Sequence, residues 1–263
     1  MLIEYTYRLR KALERGIYMF LKKITLLKDD IPQVSSYPFS IPAIKGLREL
    51  ELTNKVTFFI GENGSGKSTL LEAVADKCGF HTAGGGKNNY YEVHSSHSDL
   101  GDYIRLSWMP KITNGFFLRA ESFYHFATLQ DELEKDPFTR TDYRAYGGKS
   151  LLQQSHGESF LSLFQHRFNG QAIYLLDEPE AALSPQRQLT FIRILHDLVE
   201  YEDCQFIIAT HSPILLGYPN ASILNFDGGA ITEIQYEQTD NYRLTKYFLQ
   251  HREKMLNELL RDD

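Results

Sequence analysis

The sequence predicts an α/β fold in which helices flank a largely parallel sheet. Three short runs, rich in β-branched and aromatic residues, have the composition of buried parallel strands. They are residues 55–60 (KVTFFI), residues 171–176 (QAIYLL) and residues 205–209 (QFIIA). A helical pattern follows the first run at residues 68–77, and another separates the second run from the third. Strands that alternate with helices along the chain favour a parallel sheet covered by helices.

The helix between the second and third runs has a recognisable start and one apolar face. Ser184 is a suitable N-cap, and proline at the next position suits the first helical turn. The apolar residues that follow recur at spacings of three and four: Phe191, Ile194, Leu195 and Leu198. This spacing puts them on one side of a helix, and we expect that side to be buried.

The other segments give weaker signals. Residues 4–15 can form a helix, and residues 20–27 (FLKKITLL) favour an extended strand. Residues 84–114 are rich in glycine, asparagine, serine and histidine, which predicts loops or short hairpins. The Asp-Gly-Gly at residues 227–229 separates two apolar runs and predicts a β-hairpin. The leucine-containing C-terminal segment predicts one amphipathic helix.

Composition and charge narrow the class of protein. The 263 residues are 42% hydrophobic and 24% charged, with a formal net charge of −6. That charge disfavours a uniformly basic surface for nucleic acid and leaves room for a local basic patch. Cys78 and Cys204 lie far apart without metal-ligand spacing, and we interpret them as buried, reduced thiols. The sequence lacks an apolar run of the ~18–20 residues that span a bilayer, and charges interrupt its N-terminal segment. We therefore expect a cytoplasmic protein without a membrane partner.

A glycine-rich loop follows the first predicted strand and matches the pattern G-x-x-x-x-G-K-[ST]. The residues of the loop and its first helical turn are Gly61, Glu62, Asn63, Gly64, Ser65, Gly66, Lys67, Ser68 and Thr69. Glycines let backbone N–H groups point at phosphate oxygens, and the following helix adds the positive end of its dipole. Lys67 supplies a charge for the β- and γ-phosphates, and the Ser68 hydroxyl is a ligand for Mg²⁺. The pattern therefore predicts an ATP-binding P-loop, with ATP and Mg²⁺ as cofactors.

Two further strand ends carry residues suited to phosphoryl chemistry. The second predicted strand runs into Asp177 and Glu178, and the third runs into a segment that contains His211. Asp177 can be the second Mg²⁺ anchor that a P-loop site needs, and Glu178 can polarise the attacking water. His211 can contact the γ-phosphate, because parallel strands present ligand-binding residues at this edge. The alternatives are an acidic turn that merely ends a strand and a structural histidine.

These motifs, in their order along the chain, resemble those of the ABC ATPase superfamily: GENGSGKST, LLQQSHGES, YLLDEP and ATHSP. Ser155, His156, Gly157 and Glu158 occupy the place of that superfamily's Ser-Gly-Gly-Gln signature, and Ser155 and Gly157 match it residue for residue. The resemblance implies that this signature turn reaches across a dimer interface to the γ-phosphate held by the other subunit. An ordinary Ser-capped helix is the alternative.

The departures at His156 and Glu158 look more like the soluble RecF and OLD-type relatives than like the transporters. The chain most resembles the small bacterial "predicted ATPase" (AAA family ATPase) family, over residues 37–263. This implies a P-loop NTPase of ABC-ATPase type, with a largely parallel sheet, an antiparallel β part and a small helical lobe. We expect residues 1–18 to be an N-terminal extension and residues 19–263 to form one domain, with the lobe inserted at about residues 80–165.

Two positions in the resemblance stay open. Ala120 falls where relatives carry a glutamine that ligates the metal, and alanine has no ligand atom. Glu121 is either its substitute near Mg²⁺ or a structural residue at the lobe junction. Tyr37 and Phe39 lie in the region where ABC ATPases stack an aromatic ring on adenine, and core packing is the alternative.

The motifs and the resemblance predict a soluble ATPase that acts as an ATP-gated homodimer and hydrolyses ATP to ADP and phosphate. Glu178 and His211 are its predicted catalytic residues. The alternative is an ATP-gated interaction module with negligible intrinsic hydrolysis, acting on DNA, a nuclease or a toxin. A small-molecule kinase is disfavoured, because Glu178 suits water activation and no arginine-rich lid is evident. The protein or nucleic-acid partner is not identified, and DNA repair, phage defence and toxin control all stay open.

Overall fold

The computed structural model describes residues 19–80, 99–121, 123, 126–128, 131, 132, 148–168 and 170–261. The predicted helix at residues 4–15 and the extension at residues 1–18 lie outside these ranges. The described strands are β1 (Leu21–Leu26), β2 (Glu49–Glu51), β3 (Val56–Ile60), β4 (Ile104–Trp108), β5 (Gly115–Arg119), β6 (Ala172–Asp177), β7 (Cys204–Ala209), β8 (Ser222–Asn225) and β9 (Thr232–Ile234).

The strands form a main sheet and a smaller one. The main sheet has the order β5-β6-β7-β3-β8-β9, and all its neighbours are parallel except β8 and β9. The smaller sheet is antiparallel, with the order β2-β1-β4. Strands β3, β6 and β7 are buried along their whole lengths, and β8 and β9 form the predicted hairpin. The predicted α/β fold with a largely parallel sheet and an antiparallel part is confirmed.

The described α-helices are α1 (Pro42–Gly46), α2 (Lys67–Cys78), α3 (His156–His166), α4 (Pro185–Tyr201), α5 (Pro213–Leu216), α6 (Asp240–Gln250) and α7 (Arg252–Leu259). Helix α4 begins as predicted, with Ser184 accepting a hydrogen bond from the backbone of Arg187. The prediction of a single C-terminal helix is wrong. His251 leaves the helical conformation, at φ −131° and ψ 33°, and separates α6 from α7. None of the described helices is both long enough and apolar enough to cross a membrane.

Two apolar cores lie on opposite faces of the main sheet, because side chains alternate along each buried strand. On one face, Phe58 and Tyr174 join the apolar residues of α3 and α4. On the other, Phe59 and Leu175 join those of α2 and β1. The helix that follows the P-loop is thus held between the two sheets, and α3 packs with α4 on the far side.

Residues 84–114, for which the sequence predicts loops or short hairpins, differ in part from that prediction. Residues 84–98 lie outside the described ranges, but residues 104–108 form β4 and pair with β1. Residues 115–119 form β5, an edge strand that we did not predict. Its run GFFLR is too short to be separated from a loop by periodicity alone.

A buried amide joins the two sheets. Gln205, on β7, accepts hydrogen bonds through Oε1 from the backbone nitrogens of Phe20 and Leu21, at 3.1 and 2.9 Å. Its Nε2 donates to the carbonyl of Leu21 at 2.9 Å. Since Leu21 begins β1, this one side chain fixes the smaller sheet to the centre of the main one.

The two cysteines are predicted to differ in reactivity. Cys204 is buried, and burial raises the pKa of its thiol to about 12. Cys78 is only half-buried, so the prediction of two buried thiols is wrong for this residue. Since the thiolate is the reactive form, iodoacetamide at pH 8 should alkylate Cys78 well before Cys204 in the folded protein. Peptide mass spectrometry measures the order, with a urea-unfolded sample as the control in which both react. Faster labelling of Cys204 in the folded protein would contradict its burial.

Candidate functional site

The P-loop connects β3 to α2 and depends on three glycines with positive φ. Gly61, Gly64 and Gly66 have φ values of 140°, 81° and 104°, a range that residues with a Cβ rarely adopt. Gly66 also lies against the apolar core on the α2 side of the main sheet, since a Cβ there would be 3.0 Å from Ile41 Cγ2. The backbone can therefore take this curled path only with glycine at these positions.

Lys67 is buried at the centre of the loop. Its side chain is 4% exposed, and Nζ donates to the carbonyls of Gly61 and Glu62 at 2.6 and 3.0 Å. Burial lowers the pKa of Lys67, and four nearby carboxylates partly offset this effect: Glu178, Asp227, Asp177 and Glu62. A cation held out of water in this way interacts strongly with an anion that reaches it.

Asp177 ends β6 beside the P-loop helix, and both of its carboxylate oxygens have partners. Ser68 Oγ donates to Oδ1 at 2.9 Å, and Arg119 Nε donates to Oδ2 at 3.0 Å. Arg119 also pairs through Nη2 with Glu72 of α2. Burial raises the pKa of Glu72, and the charge of Arg119 opposes that rise. Three elements, α2, β5 and β6, therefore meet in one charged network.

The Ser68–Asp177 pair fits the ligand geometry of Mg²⁺. Neighbouring ligands of an octahedral Mg²⁺, each at about 2.1 Å, lie about 3 Å apart. The 2.9 Å between Ser68 Oγ and Asp177 Oδ1 matches that separation. In the part of the chain that the structure describes, no group of three or more histidine, cysteine, aspartate and glutamate residues has a metal-binding arrangement. Two protein ligands suit Mg²⁺, which usually keeps several waters and substrate phosphates.

Glu178 and His211 lie together at the ends of β6 and β7. Asp177 pairs with Ala209 across these strands, so the residues just beyond them meet at the same edge. His211 Nε2 lies 3.8 Å from Glu178 Oε1, longer than a hydrogen bond, and both side chains are partly exposed. Glu178 adopts φ 50°, an uncommon conformation for a residue with a side chain, which turns the chain sharply after Asp177.

The backbone of His211 is held from two sides. Glu180 Oε1 accepts from the His211 nitrogen at 2.6 Å, and Asn241 of α6 donates to the His211 carbonyl at 2.9 Å. Burial raises the pKa of Glu180, and its hydrogen bond from His211 opposes the rise. The position of His211 thus depends on the segment after β6 and on helix α6.

The signature turn lies at the start of α3 and contacts the start of α4. Ser155 is the N-cap, His156 is the first helical residue, and Glu158 Oε2 accepts from the Ser155 nitrogen at 3.1 Å. Arg187 Nη2 lies 3.2 Å both from Ser155 Oγ and from Glu158 Oε1. A Cβ at Gly157 would lie 2.8 Å from Arg187 Cδ and 3.1 Å from the Ala182 carbonyl, so glycine allows this close approach. Ser155 and Glu158 remain exposed.

The structure shows where the residues lie for which the sequence allowed two roles. Phe39 is buried and packs edge-on against Tyr103, so the core alternative holds for Phe39. Tyr37 is 68% exposed, and its hydroxyl lies 3.5 Å from Thr69 Oγ1 at the start of α2. Ala120 is buried next to the end of β5, and Glu121 is exposed in the turn that follows.

Arg119, Arg187 and Asp227 are among the contacting residues that the sequence did not reveal. Arg119 binds Asp177, and Arg187 binds the signature turn. Asp227 Oδ1 accepts a hydrogen bond from the Glu62 nitrogen at 2.9 Å. Asp227 follows β8, which is the parallel neighbour of β3, so its position past a strand end was the available signal. Arg187 lies inside α4, where the apolar spacing predicts a buried face but indicates nothing about polar contacts.

Comparison with known proteins gives matches to ATPase domains. A family model described as an AAA domain matches residues 38–160, and another described as an AAA ATPase domain matches residues 158–216. Protein ea59 of Escherichia phage lambda is 34% identical over 91 residues, which cover 33% of this chain and only 17% of that protein.

Solved structures give distant likenesses. The SMC head domain from Thermotoga maritima is 18% identical with a TM-score of 0.44, over 82% of this chain and all of that one. An ATP-binding cassette of an ABC transporter, in its ADP conformation, is 17% identical with a TM-score of 0.46, over 93% of this chain and all of that one. At this level of similarity nothing about the activity of this chain follows from them.

The two family matches meet near the signature turn and together run from residue 38 to residue 216. The first includes the P-loop, and the second includes Asp177, Glu178 and His211. A mainly parallel sheet joins these motifs at one edge, as described above. In sequence, the chain is therefore similar to AAA-type ATPase domains over residues 38–216, a range that contains each of these motifs.

Proposed function

We propose that this protein binds ATP with Mg²⁺ at the P-loop and hydrolyses it to ADP and phosphate. The observation that carries the proposal is the buried Lys67 ammonium beside the Ser68–Asp177 pair. A phosphate chain that enters the loop would replace the carbonyls of Gly61 and Glu62 as partners of Lys67. The N–H groups of the loop and of Thr69 would then bind phosphate oxygens, as at other helix N-termini.

Ser68 and Asp177 are the residues that would hold Mg²⁺. When bound, Mg²⁺ neutralises charge on the β- and γ-phosphates and holds them in position. The hydroxyl and carboxylate are hard oxygen ligands of the kind that Mg²⁺ prefers, and their 2.9 Å separation supports the assignment. Glu121, which is exposed beyond β5, is a weaker candidate for a contact through water.

Glu178 is the proposed general base. Its carboxylate accepts a proton from water as the water oxygen attacks the γ-phosphorus, and the bond from that phosphorus to the β–γ bridging oxygen breaks. The proton leaves with the products, and ADP carries the freed oxygen. His211, 3.8 Å from Glu178, is proposed to contact the γ-phosphate from the neighbouring strand end. Most of the rate enhancement then comes from positioning and from fixed charges.

The proposed active form is a head-to-tail dimer that encloses two ATP molecules. Ser155 lies exposed at the N-terminus of α3, which is 11 residues long, while its own chain binds it through Arg187. An exposed hydroxyl at such a position suits the γ-phosphate bound by a second copy. Tyr37, exposed beside Thr69, is the proposed stacking surface for adenine.

Phosphate release by the purified protein tests the proposal. We expect steady turnover with MgATP and none with EDTA in place of Mg²⁺. A different outcome is that ATP binds and shifts the protein from monomer to dimer, as measured by light scattering, while turnover is negligible. That result would favour the alternative of an ATP-gated interaction module over the enzyme. Absence of both turnover and ATP binding would contradict the assigned site.

A further inference from the structure

Arg119 occupies an unusual position for a cation, next to the proposed metal ligand. It is the last residue of β5 and is the register partner of Asp177 on β6. Its side chain is 26% exposed, while those of Glu72 and Asp177 are 14% and 5% exposed. The guanidinium therefore lies between two carboxylates that are largely shielded from water.

The hydrogen bonds divide the two oxygens of Asp177 between different partners. Oδ2 accepts from Arg119 Nε at 3.0 Å, and Oδ1 accepts from Ser68 Oγ at 2.9 Å. A carboxylate held at both oxygens cannot rotate about its terminal bond without losing a partner. We propose that Arg119 is a positioning residue for Mg²⁺ binding, which keeps Asp177 Oδ1 directed at Ser68 and excludes Glu72 from the metal. This inference rests on the proposed function.

The carboxylate of Glu72, which Arg119 binds in addition to that of Asp177, explains why an arginine suits position 119. Glu72 belongs to α2, the helix that begins at the P-loop, and it pairs with Arg119 Nη2. The planar guanidinium can bind two carboxylates with different nitrogens at once, whereas a lysine is a single point charge. Without this cation, Glu72 and Asp177 would repel each other, and Glu72 could turn towards a bound Mg²⁺ as a competing ligand.

Ala120, the neighbour of Arg119, supplies no ligand for the metal. The resemblance expects a metal-binding glutamine at this position, but Ala120 is buried and has no ligand atom. The polar link from the end of β5 to the metal site instead runs from Arg119 through Asp177. Partners that orient a metal ligand commonly change metal affinity by about 10- to 100-fold when they are removed.

Metal binding, measured apart from hydrolysis, tests the role of Arg119. The protein is saturated with a non-hydrolysable ATP analogue, and Mn²⁺ is titrated while EPR spectroscopy measures the free ion. We expect Arg119→Met to weaken Mn²⁺ binding about tenfold or more and Arg119→Lys to weaken it less. Affinity for the analogue in EDTA should be unchanged in both variants, because neither side chain is proposed to contact the nucleotide.

Lys55→Met provides a matched control. Lys55 forms a similarly shielded ion pair with Asp203 at 3.1 Å, at the opposite end of the same sheet. Its loss should leave Mn²⁺ affinity unchanged. Wild-type or tighter Mn²⁺ binding in Arg119→Met would overturn the inference, as would an equal loss in Lys55→Met, which would indicate general loosening. If Arg119→Met does not fold, wild-type Mn²⁺ affinity in Arg119→Lys overturns it. Failure of the unmodified protein to bind the analogue at all would instead refute the proposed function, and the role of Arg119 with it.

Discussion

Lys67→Ala is expected to reduce ATP affinity roughly a hundredfold or more, to the point where binding is no longer detected. The wild-type ammonium is buried and surrounded by carbonyls and carboxylates, so a phosphate that replaces those partners meets a charge largely out of water. Replacing Lys67 by alanine removes that positive charge. The negative phosphate then faces the carboxylates of Asp177 and Glu178 with no cation from the P-loop to offset their repulsion. Isothermal titration calorimetry with ATP and Mg²⁺ measures the loss.

The fold itself should tolerate Lys67→Ala. Burial lowers the pKa of Lys67, which means that its charged form is costly in the folded protein and that its removal relieves this cost. Thermal unfolding followed by circular dichroism should therefore show no large fall in Tm. Lys55→Met serves again as a control, because it removes a shielded lysine at the far end of β3 and should leave ATP binding intact. A folded Lys67→Ala protein with wild-type ATP affinity would refute the P-loop as the nucleotide site.

Glu178→Gln is expected to slow hydrolysis by at least about a hundredfold and to trap ATP in a dimer. The amide preserves the shape of the side chain but cannot take a proton from water. If Ser155 binds the γ-phosphate on a second copy, ATP favours the dimer by linkage, and ADP, which lacks that phosphate, does not. Light scattering should give the monomer mass of 30.4 kDa in ADP and twice that mass in ATP.

A second substitution separates the dimer from ATP binding. Ser155→Arg in the Glu178→Gln background places a bulky charge at the signature turn, beside Arg187. We expect this double variant to remain a monomer in ATP while calorimetry still detects ATP binding. A Glu178→Gln protein whose mass is the same in ATP, ADP and no nucleotide would disprove the ATP-gated dimer and leave only the nucleotide site to be tested.

The sequence located in the fold those parts of the candidate site that depend on local patterns. Strand β3, the P-loop and α2 form a continuous segment whose composition and glycine spacing are characteristic. Asp177 and Glu178 could be placed because the strand before them is strongly apolar. For these residues the local sequence determines where the side chain lies.

Arg119 and Arg187 could not be placed in the same way. Arg119 reaches Asp177 only because β5 and β6, more than fifty positions apart, pair side by side. Arg187 reaches Ser155 only because α3 and α4 pack on the same face of the sheet. Contacts of this kind depend on tertiary packing, which residue periodicity does not encode. The break at His251 was missed for a related reason, since the apolar pattern continues through it.

The amide of Gln205 has a consequence for how the chain folds. It binds Phe20 and Leu21 across 185 and 184 positions of sequence, respectively, a separation that takes in most of the described protein. These hydrogen bonds cannot form until β7 lies in the sheet, although β1 can already pair with β2 and β4. Closing so large a loop costs entropy before it yields contacts. The attachment of the smaller sheet to the main one through this amide therefore waits for residues made late in synthesis. We infer that the smaller sheet docks onto the main one late in folding, after its own strands have paired.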